Sequence, residues 1–139
     1  MGSNVTHVAA IVCRDNKVLA RQTATGEHAD SWEFPGGSVE PGETSLQACK
    51  RHMLEEHGCR LSTTWLFNTV ELDHADRHLV VDCFVSMPVP GSEPVAQANE
   101  ALRWLRRDEL PGMGWLPTSV EVVRCLGTFW DSVFMSEHL

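Results

Sequence analysis

The chain has 139 residues, of which 42% are hydrophobic, and its 11 lysines and arginines against 19 aspartates and glutamates give a formal charge of −8. This length is typical of one compact domain, and the composition excludes a disordered tail or a coiled coil. An acidic chain is repelled by a phosphate backbone, which argues against binding to polymeric nucleic acid. We therefore expect a single domain over residues 1–139 with a buried core.

The sequence carries no signal for a membrane or for an oxidising compartment. No apolar run approaches the ~20 residues that span a bilayer, and residues 1–6 lack the apolar stretch of a secretory signal. The five cysteines are widely spaced and include no Cys-x-x-Cys pair, so neither a disulfide framework nor a zinc site is indicated. The sequence predicts a cytoplasmic protein with reduced thiols and no membrane partner.

Apolar or alternating runs bounded by polar or glycine-rich residues predict β-strands. In chain order, the predicted strands cover residues 5–13, 17–21, 32–34, 61–72, 79–87 and 101–105. The first two are separated by three polar residues, which predicts a hairpin, and a polar loop follows over residues 23–31. The glycines in Pro35-Gly36-Gly37 predict an abrupt end to the third strand.

One helix is predicted with clear boundaries, from Thr44 to His57. Leu46, Cys49 and Met53 recur at helical intervals and form an apolar stripe, and Gly58 predicts the end of the helix. Since strands precede and follow this helix, the sequence predicts an α/β fold with a mixed sheet.

A second helix is predicted near the end of the chain. It runs through Leu126 and stops before Gly127, with Thr118 or Ser119 as its N-cap. Residues 107–110 predict a helical turn ahead of it.

The first helix carries four ionisable residues on one face. Each residue advances by about 100°, so Arg51, His52, Glu55 and Glu56 fall within an arc of about 140° opposite the apolar stripe. Adjacent carboxylates repel each other, and a site that uses them usually holds a cation, for which oxygen ligands favour Mg²⁺ or Mn²⁺. The alternative is an ordinary solvated face with pairs at i,i+4.

The loop before this helix is rich in glycine and glutamate. Gly36, Gly37 and Gly42 surround Glu40 and Glu43, and glycines allow sharp turns and close approach of the backbone. Such a loop can present main-chain groups to a metal or a phosphate, although a glycine-rich turn before a helix is also common.

The loop and helix together resemble the Nudix box, which is a glycine, five residues, a glutamate, seven residues and then Arg-Glu-aliphatic-x-Glu-Glu-x-Gly-aliphatic. Residues 36–59 read GGSVEPGETSLQACKRHMLEEHGC, and every defining position over residues 37–59 agrees except His52. Residues 32–37 are similar to the lead-in of the MutT-like branch. The chain is thus identified as a member of the Nudix hydrolase superfamily, in the MutT-like nucleoside triphosphate pyrophosphohydrolase branch.

The resemblance implies a Nudix α/β/α sandwich with a mixed sheet between helices, and hydrolysis of a nucleoside diphosphate linked to another group with Mg²⁺ or Mn²⁺. It implies that Glu55, Glu56 and the carbonyl of Gly36 bind metal. By the same resemblance, Arg51 orients a glutamate and Glu43 supports the loop and helix.

Two positions leave alternatives open. MutT-like members take a further carboxylate from a later loop, and Glu100 is the best candidate for it here, against an ordinary surface glutamate. His52 replaces a glutamate that the family assigns to metal binding or to activation of water. Three outcomes follow: His52 serves as base or ligand, a carboxylate such as Glu40 or Glu100 takes over, or the protein binds nucleotides without turnover.

The candidates for substrate binding are Trp32, Phe34, Gly37 and Ser119. The aromatic rings can stack on a base or simply pack in the core. Ser119 stands where MutT-like and cytidine-triphosphate-type members carry asparagine or aspartate, and its shorter side chain reads fewer base edges.

The function expected from the resemblance is hydrolysis of a (deoxy)nucleoside triphosphate, oxidised or otherwise noncanonical, to a monophosphate and pyrophosphate. A nucleotide sugar or a dinucleotide polyphosphate is the alternative substrate, and a nucleotide-binding module without turnover is the alternative to an enzyme. We expect a monomer or a homodimer.

Overall fold

The computed structural model describes residues 3–23 and 29–135, in which four strands, a helix, three further strands and a set of carboxyl-terminal helices follow one another. The strands are β1 (Ser3–Arg14), β2 (Lys17–Thr23), β3 (Trp32–Glu33), β4 (Gly36–Ser38), β5 (Trp65–His74), β6 (Arg77–Ser86) and β7 (Glu100–Leu105). The α-helices are α1 (Ser45–His57), α2 (Val120–Thr128) and α3 (Trp130–Phe134), with 3-10 helices at Arg107–Gly112 and Pro117–Ser119. None of the helices in these two ranges has the length and apolar character needed to cross a bilayer.

Strand β1 is the centre of a mixed sheet. It pairs in parallel with β6 and antiparallel with β2 and β4, and the path of neighbouring strands is β3-β2-β1-β6-β5. β5 pairs antiparallel with β6, and β7 pairs antiparallel with β2. The predicted hairpin and the predicted mixed sheet are therefore confirmed.

Alternate residues of β1 enter two different cores, because successive side chains of a strand point to opposite faces. Val8, Ala10 and Val12 pack against α1, whereas Ala9 and Ile11 pack toward the carboxyl-terminal helices. A central strand buried on both faces requires helices on both sides. The α/β/α sandwich implied by the resemblance is confirmed.

Helix α1 has the predicted boundaries. Thr44 caps its first turn in a capping box with Gln47, and Gly58 ends it in the left-handed conformation at φ 59°. The predicted apolar stripe is wrong at Leu46, which is 37% exposed. Because the helix also packs over β4, its buried face includes His52 instead.

Several predicted boundaries differ from the structure. The third strand ends before Pro35, as predicted, but Gly36 and Gly37 then begin a further strand, β4, which pairs with β1, because glycine permits a backbone approach that a side chain would block. The strand predicted over residues 61–72 begins only at Trp65, after an isolated bridge at Leu61. The last helix continues through Gly127 to Thr128 and is followed by α3. Residues 24–28 of the predicted loop lie outside the described residues.

All five cysteines are free thiols, and four of them are buried. Burial raises the pKa of Cys13, Cys49 and Cys83 to about 12. These thiols therefore stay protonated and act as small apolar side chains.

Candidate active site

Arg51 fastens the glycine-rich loop to α1. Its Nε donates to Oε2 of Glu43 at 2.6 Å and its Nη2 donates to Oε1 at 3.0 Å, which is the two-point geometry favoured by arginine and carboxylate. Nη2 also donates to the carbonyl of Ser38 at 3.2 Å, and Oε1 of Glu43 accepts from the backbone of Glu40 at 3.0 Å. The residues implied to position the loop therefore lie in direct contact.

This ion pair gives a pH-dependent expectation. Arg51 and the Glu40 amide lower the pKa of Glu43 from 4.5 to about 2, so the pair stabilises the fold fully above pH 4.5 and progressively less as the pH falls toward 2. Replacing Arg51 with glutamine should therefore lower the free energy of unfolding at pH 7, and this difference from the wild type should shrink between pH 4.5 and 2. Urea denaturation across that range measures it. Lys50→Gln removes the same charge at the exposed neighbouring position, and an equal trend in that variant would contradict the assignment.

The His52 side chain projects from α1 and is buried against β4. Its Nε2 donates to the carbonyl of Ser38 at 2.8 Å, and its Nδ1 is hydrogen-bonded to the carboxylate of Glu56. Both ring nitrogens thus face oxygen atoms of the protein, and Nε2 also lies 3.4 Å from Nη2 of Arg51. The ring also packs against the backbone at Gly37, where an added Cβ would lie 2.6 Å from Cε1 of His52.

Arg21 was not among the predicted site residues, yet it lies at the centre of the site. Its Nη1 donates to Oε1 of Glu56 at 2.6 Å, its Nη2 donates to the carbonyl of Gly36 at 3.0 Å, and its Nε donates to Glu33 at 3.3 Å. Nη1 also lies 3.2 Å from Nε2 of His57. Burial lowers the pKa of Arg21, but the surrounding carboxylates, Glu33 foremost, outweigh it and raise the pKa overall.

Strand pairing brings these charges together. Arg21 on β2 stands directly opposite Glu33 on β3 and Leu102 on β7, so the three side chains share one face. Glu100 lies two residues before Leu102 and therefore on the same face, which is the face that packs toward α1. One sequence signal for Arg21 is its position two residues after the buried Leu19, which places a charged side chain on the inward face of a strand.

The implied metal ligands are only partly assembled. Glu56 and the Gly36 carbonyl converge on Arg21, whereas the Glu55 side chain is 56% exposed and lies 3.7 Å from Arg51. Glu100 is 10% exposed and lies 3.5 Å from Nδ1 of His57. Within residues 3–23 and 29–135, no three acidic, histidine or cysteine side chains are grouped so that they could hold a metal ion as they stand.

The donor set nevertheless suits a cation. Carboxylate and carbonyl oxygens are the ligands that Mg²⁺ and Mn²⁺ prefer, and the Glu56 and Gly36 oxygens already hold a positive group between them. Burial raises the pKa of Glu56, but the hydrogen bonds from His52 and Arg21 outweigh this effect and lower the pKa overall. Glu56 is therefore held as a carboxylate.

A cavity of about 300 Å³ opens beside β4. Three of the four predicted substrate residues line it: Phe34, Gly37 and Ser119. Trp32 does not, because it packs against the core and its backbone pairs with the segment around Trp115. Ser119 stands at the N-cap position of α2, but its side chain makes no capping hydrogen bond, so the predicted capping role is wrong.

The cavity wall also includes polar residues outside the predicted substrate set, among them His7, His74 and Arg77. Burial and the neighbouring Arg77 lower the pKa of His7. These residues come from three separate strand segments, and only the pairing of β1 with β6 brings them to one cavity.

The NUDIX domain family model matches residues 4–124. The chain belongs to the Nudix family. An 8-oxo-dGTP diphosphatase of Proteus vulgaris is 36% identical over 88 residues, which are 61% of this chain and 79% of that protein. A CTP pyrophosphohydrolase of Escherichia coli is 50% identical over 52 residues, which are 37% of this chain and 38% of that protein.

The Nudix fold also relates this chain to solved structures. The solution structure of the E. coli ORF135 protein superposes with a TM-score of 0.79 at 26% identity, covering 97% of this chain and 96% of that one. The predicted Nudix membership and the predicted hydrolase acting on acid anhydrides are confirmed. Nudix hydrolases generally use a divalent metal.

Proposed function

We propose that this Nudix hydrolase cleaves a (deoxy)nucleoside triphosphate, with an oxidised or otherwise noncanonical base among its substrates, to a monophosphate and pyrophosphate. One observation carries the proposal: the cavity lined by Phe34 and Ser119 opens directly against Gly36 and Gly37 of the box. Its volume of about 300 Å³ is at the lower end of small-molecule sites. A base in the cavity therefore has its phosphates beside the acidic face of α1.

The proposed metal is Mg²⁺ or Mn²⁺, held by the Gly36 carbonyl and by Glu55, Glu56 and Glu100. When bound, such a cation neutralises the charge that develops on phosphate oxygens during in-line attack by water. Arg51 holds the loop against α1, since it contacts both Glu43 and Ser38.

His52 and Glu100 divide the role of the missing box glutamate. His52 holds Glu56 against β4 and has both nitrogens engaged, so it positions a carboxylate and does not accept the proton of the attacking water. Glu40 has a side chain that is largely exposed and faces Arg51. Glu100 is nearly buried on the face shared with Arg21, which favours Glu100 over Glu40 as the carboxylate that takes over from the missing box glutamate.

The base is read by few polar groups. The Ser119 hydroxyl can donate and accept hydrogen bonds but is too short to contact two edges of a base. Phe34 packs against Trp115 with ring centroids 5.2 Å apart and ring planes inclined by 30°. This supports acceptance of several bases over strict selection of one. Residence in the cytoplasm, a single domain over residues 1–139 and a monomer or homodimer stay predictions.

A substrate panel tests the proposed function. Pyrophosphate and phosphate release would be measured with Mg²⁺ and with Mn²⁺ for dGTP, 8-oxo-dGTP, CTP, a nucleotide sugar and a dinucleotide polyphosphate. We expect pyrophosphate from more than one triphosphate, with kcat/KM values for different bases within about 100-fold of one another, as for a pocket that discriminates by few contacts. Cleavage of the nucleotide sugar or the dinucleotide alone would contradict the proposal.

A further inference from the structure

The guanidinium of Arg21 is held by an enclosed set of acceptors. The guanidinium makes four hydrogen bonds, to a side chain of β3, to two side chains of α1 and to the backbone of β4. The Arg21 side chain is only 12% exposed. The acceptors are Glu33, Glu56, His57 and the Gly36 carbonyl. Burying a charge in this way is favourable only with such complete pairing.

Two of these acceptors are also ligands in the proposed metal site, so the inference rests on the proposed function. The Glu56 carboxylate and the Gly36 carbonyl bond to Nη1 and Nη2 of the same guanidinium, which lies between them. A metal ion bound by both oxygens would need that space, and two positive groups so close repel each other strongly. We propose that Arg21 and the divalent metal ion are alternative cations at Glu56 and Gly36, and that metal binding requires Arg21 to leave these two oxygens.

The remaining two acceptors can still bind the Arg21 guanidinium after it leaves Glu56 and Gly36. Glu33 faces it across the β2–β3 pair. Nδ1 of His57 donates to the carbonyl of Val95 at 3.0 Å, which leaves Nε2 of that ring as an acceptor for Arg21. Neither Glu33 nor His57 belongs to the proposed ligand set. Arg21 therefore keeps partners after it releases Glu56 and Gly36, and the exchange does not leave a buried charge unpaired.

Competition of this kind lowers the affinity for metal. Removing the competing guanidinium frees the two oxygens and also removes a positive charge from the site. Because charge-assisted hydrogen bonds are among the stronger ones, we expect Arg21→Gln to bind Mn²⁺ about tenfold or more tightly than the wild type.

The test is calorimetric titration of Mn²⁺ into chelator-treated full-length protein, with circular dichroism to check folding. Arg103→Gln is the matched control, because Arg103 lies on the neighbouring strand β7, is 51% exposed and pairs with Glu109 at 2.9 Å. It removes the same charge from the opposite face of the sheet, since Arg103 pairs with Ala20 and not with Arg21, so the Mn²⁺ affinity of this variant should change by less than about threefold. If the wild type binds Mn²⁺ and Arg21→Gln binds it no more tightly, the proposal is overturned while the proposed function stands. If the wild type and both variants bind no Mn²⁺, the proposed metal site fails, and the competition with it.

A second measurement needs no variant that alters the site. In the wild type, nitrogen-detected NMR of arginine side chains during a Mg²⁺ titration should shift the Arg21 guanidinium signals with the same midpoint as metal binding, while those of Arg103 stay constant. Arg21 signals that do not change at saturating Mg²⁺ would show that the guanidinium keeps its partners, which also overturns the proposal.

Discussion

Replacing Glu56 with glutamine is expected to lower kcat by about 100-fold or more while the protein stays folded. Glu56 is the carboxylate on which Arg21 and His52 both converge, and it shares the Arg21 guanidinium with the Gly36 carbonyl. Glutamine keeps the shape and one oxygen acceptor but loses the negative charge that a divalent cation requires. Steady-state kinetics with Mg²⁺, together with a thermal melt, measure the two effects separately.

Glu93→Gln is the matched control for this variant. The Glu93 carboxylate pairs with Arg14 at 2.9 Å and lies largely exposed to solvent, so the substitution removes the same charge outside the site. Its kcat should stay within a factor of about two of the wild type, as for most surface changes. Retention of more than a tenth of the wild-type kcat in Glu56→Gln would contradict the proposed ligand role.

Replacing Gly36 with alanine is expected to destabilise the fold by about 4 kcal/mol, which approaches the whole stability of a small domain. A Cβ at this position would lie 2.0 Å from the carbonyl oxygen of Val8 and 2.9 Å from its carbonyl carbon. Gly36 also has φ 143°, a conformation that residues with a side chain rarely adopt. Since Val8 is buried in the central strand, the backbone there cannot move away.

Gly42→Ala separates the two causes of this loss. Gly42 also has positive φ, at 79°, but an added Cβ would meet no atom within 4 Å. Gly42→Ala should therefore lower the free energy of unfolding only by the backbone strain, about 1 kcal/mol. Urea denaturation gives both free energies of unfolding, and equal losses in the two variants would contradict the close approach of β4 to β1.

The parts of the molecule that follow from local sequence were predicted correctly. Helix α1 is specified by its own cap at Thr44, its apolar spacing and Gly58, all within one short segment. The hairpin of β1 and β2 likewise depends on the turn between them. Local patterns suffice where the interactions that fix a structure are themselves local.

The parts that depend on pairing between distant segments were predicted incompletely. Arg21 precedes Glu56 by 35 residues, and only the register of β2 against β3 and β7 brings it to the box. The glycines of β4 predict a turn from sequence alone, whereas in the structure Gly36 permits close contact with Val8 and makes no local reversal. Long-range strand pairing leaves no regular spacing in the sequence that would reveal such contacts.

The role of His52 also depends on contacts that the sequence does not reveal, although the sequence does reveal that the residue is unusual. Sequence alone marks it as a departure from the box and leaves base, ligand and inactive site as alternatives. In the structure the ring spans the Ser38 carbonyl and the Glu56 carboxylate, so it supplies hydrogen-bond donors where a glutamate would place a second negative charge beside Glu56. The substitution is therefore compatible with a site that holds Glu56 ionised.

Phosphorus NMR of the products is the most direct measurement of the central claim. The best triphosphate of the panel would be incubated with the protein and Mg²⁺, with and without excess chelator, and compared with Glu56→Gln. The expected result is a nucleoside monophosphate and pyrophosphate in equal amounts, with both products lost on chelation and in the variant. Formation of a diphosphate and phosphate, or hydrolysis that persists in the presence of chelator, would contradict metal-dependent pyrophosphohydrolysis at this box.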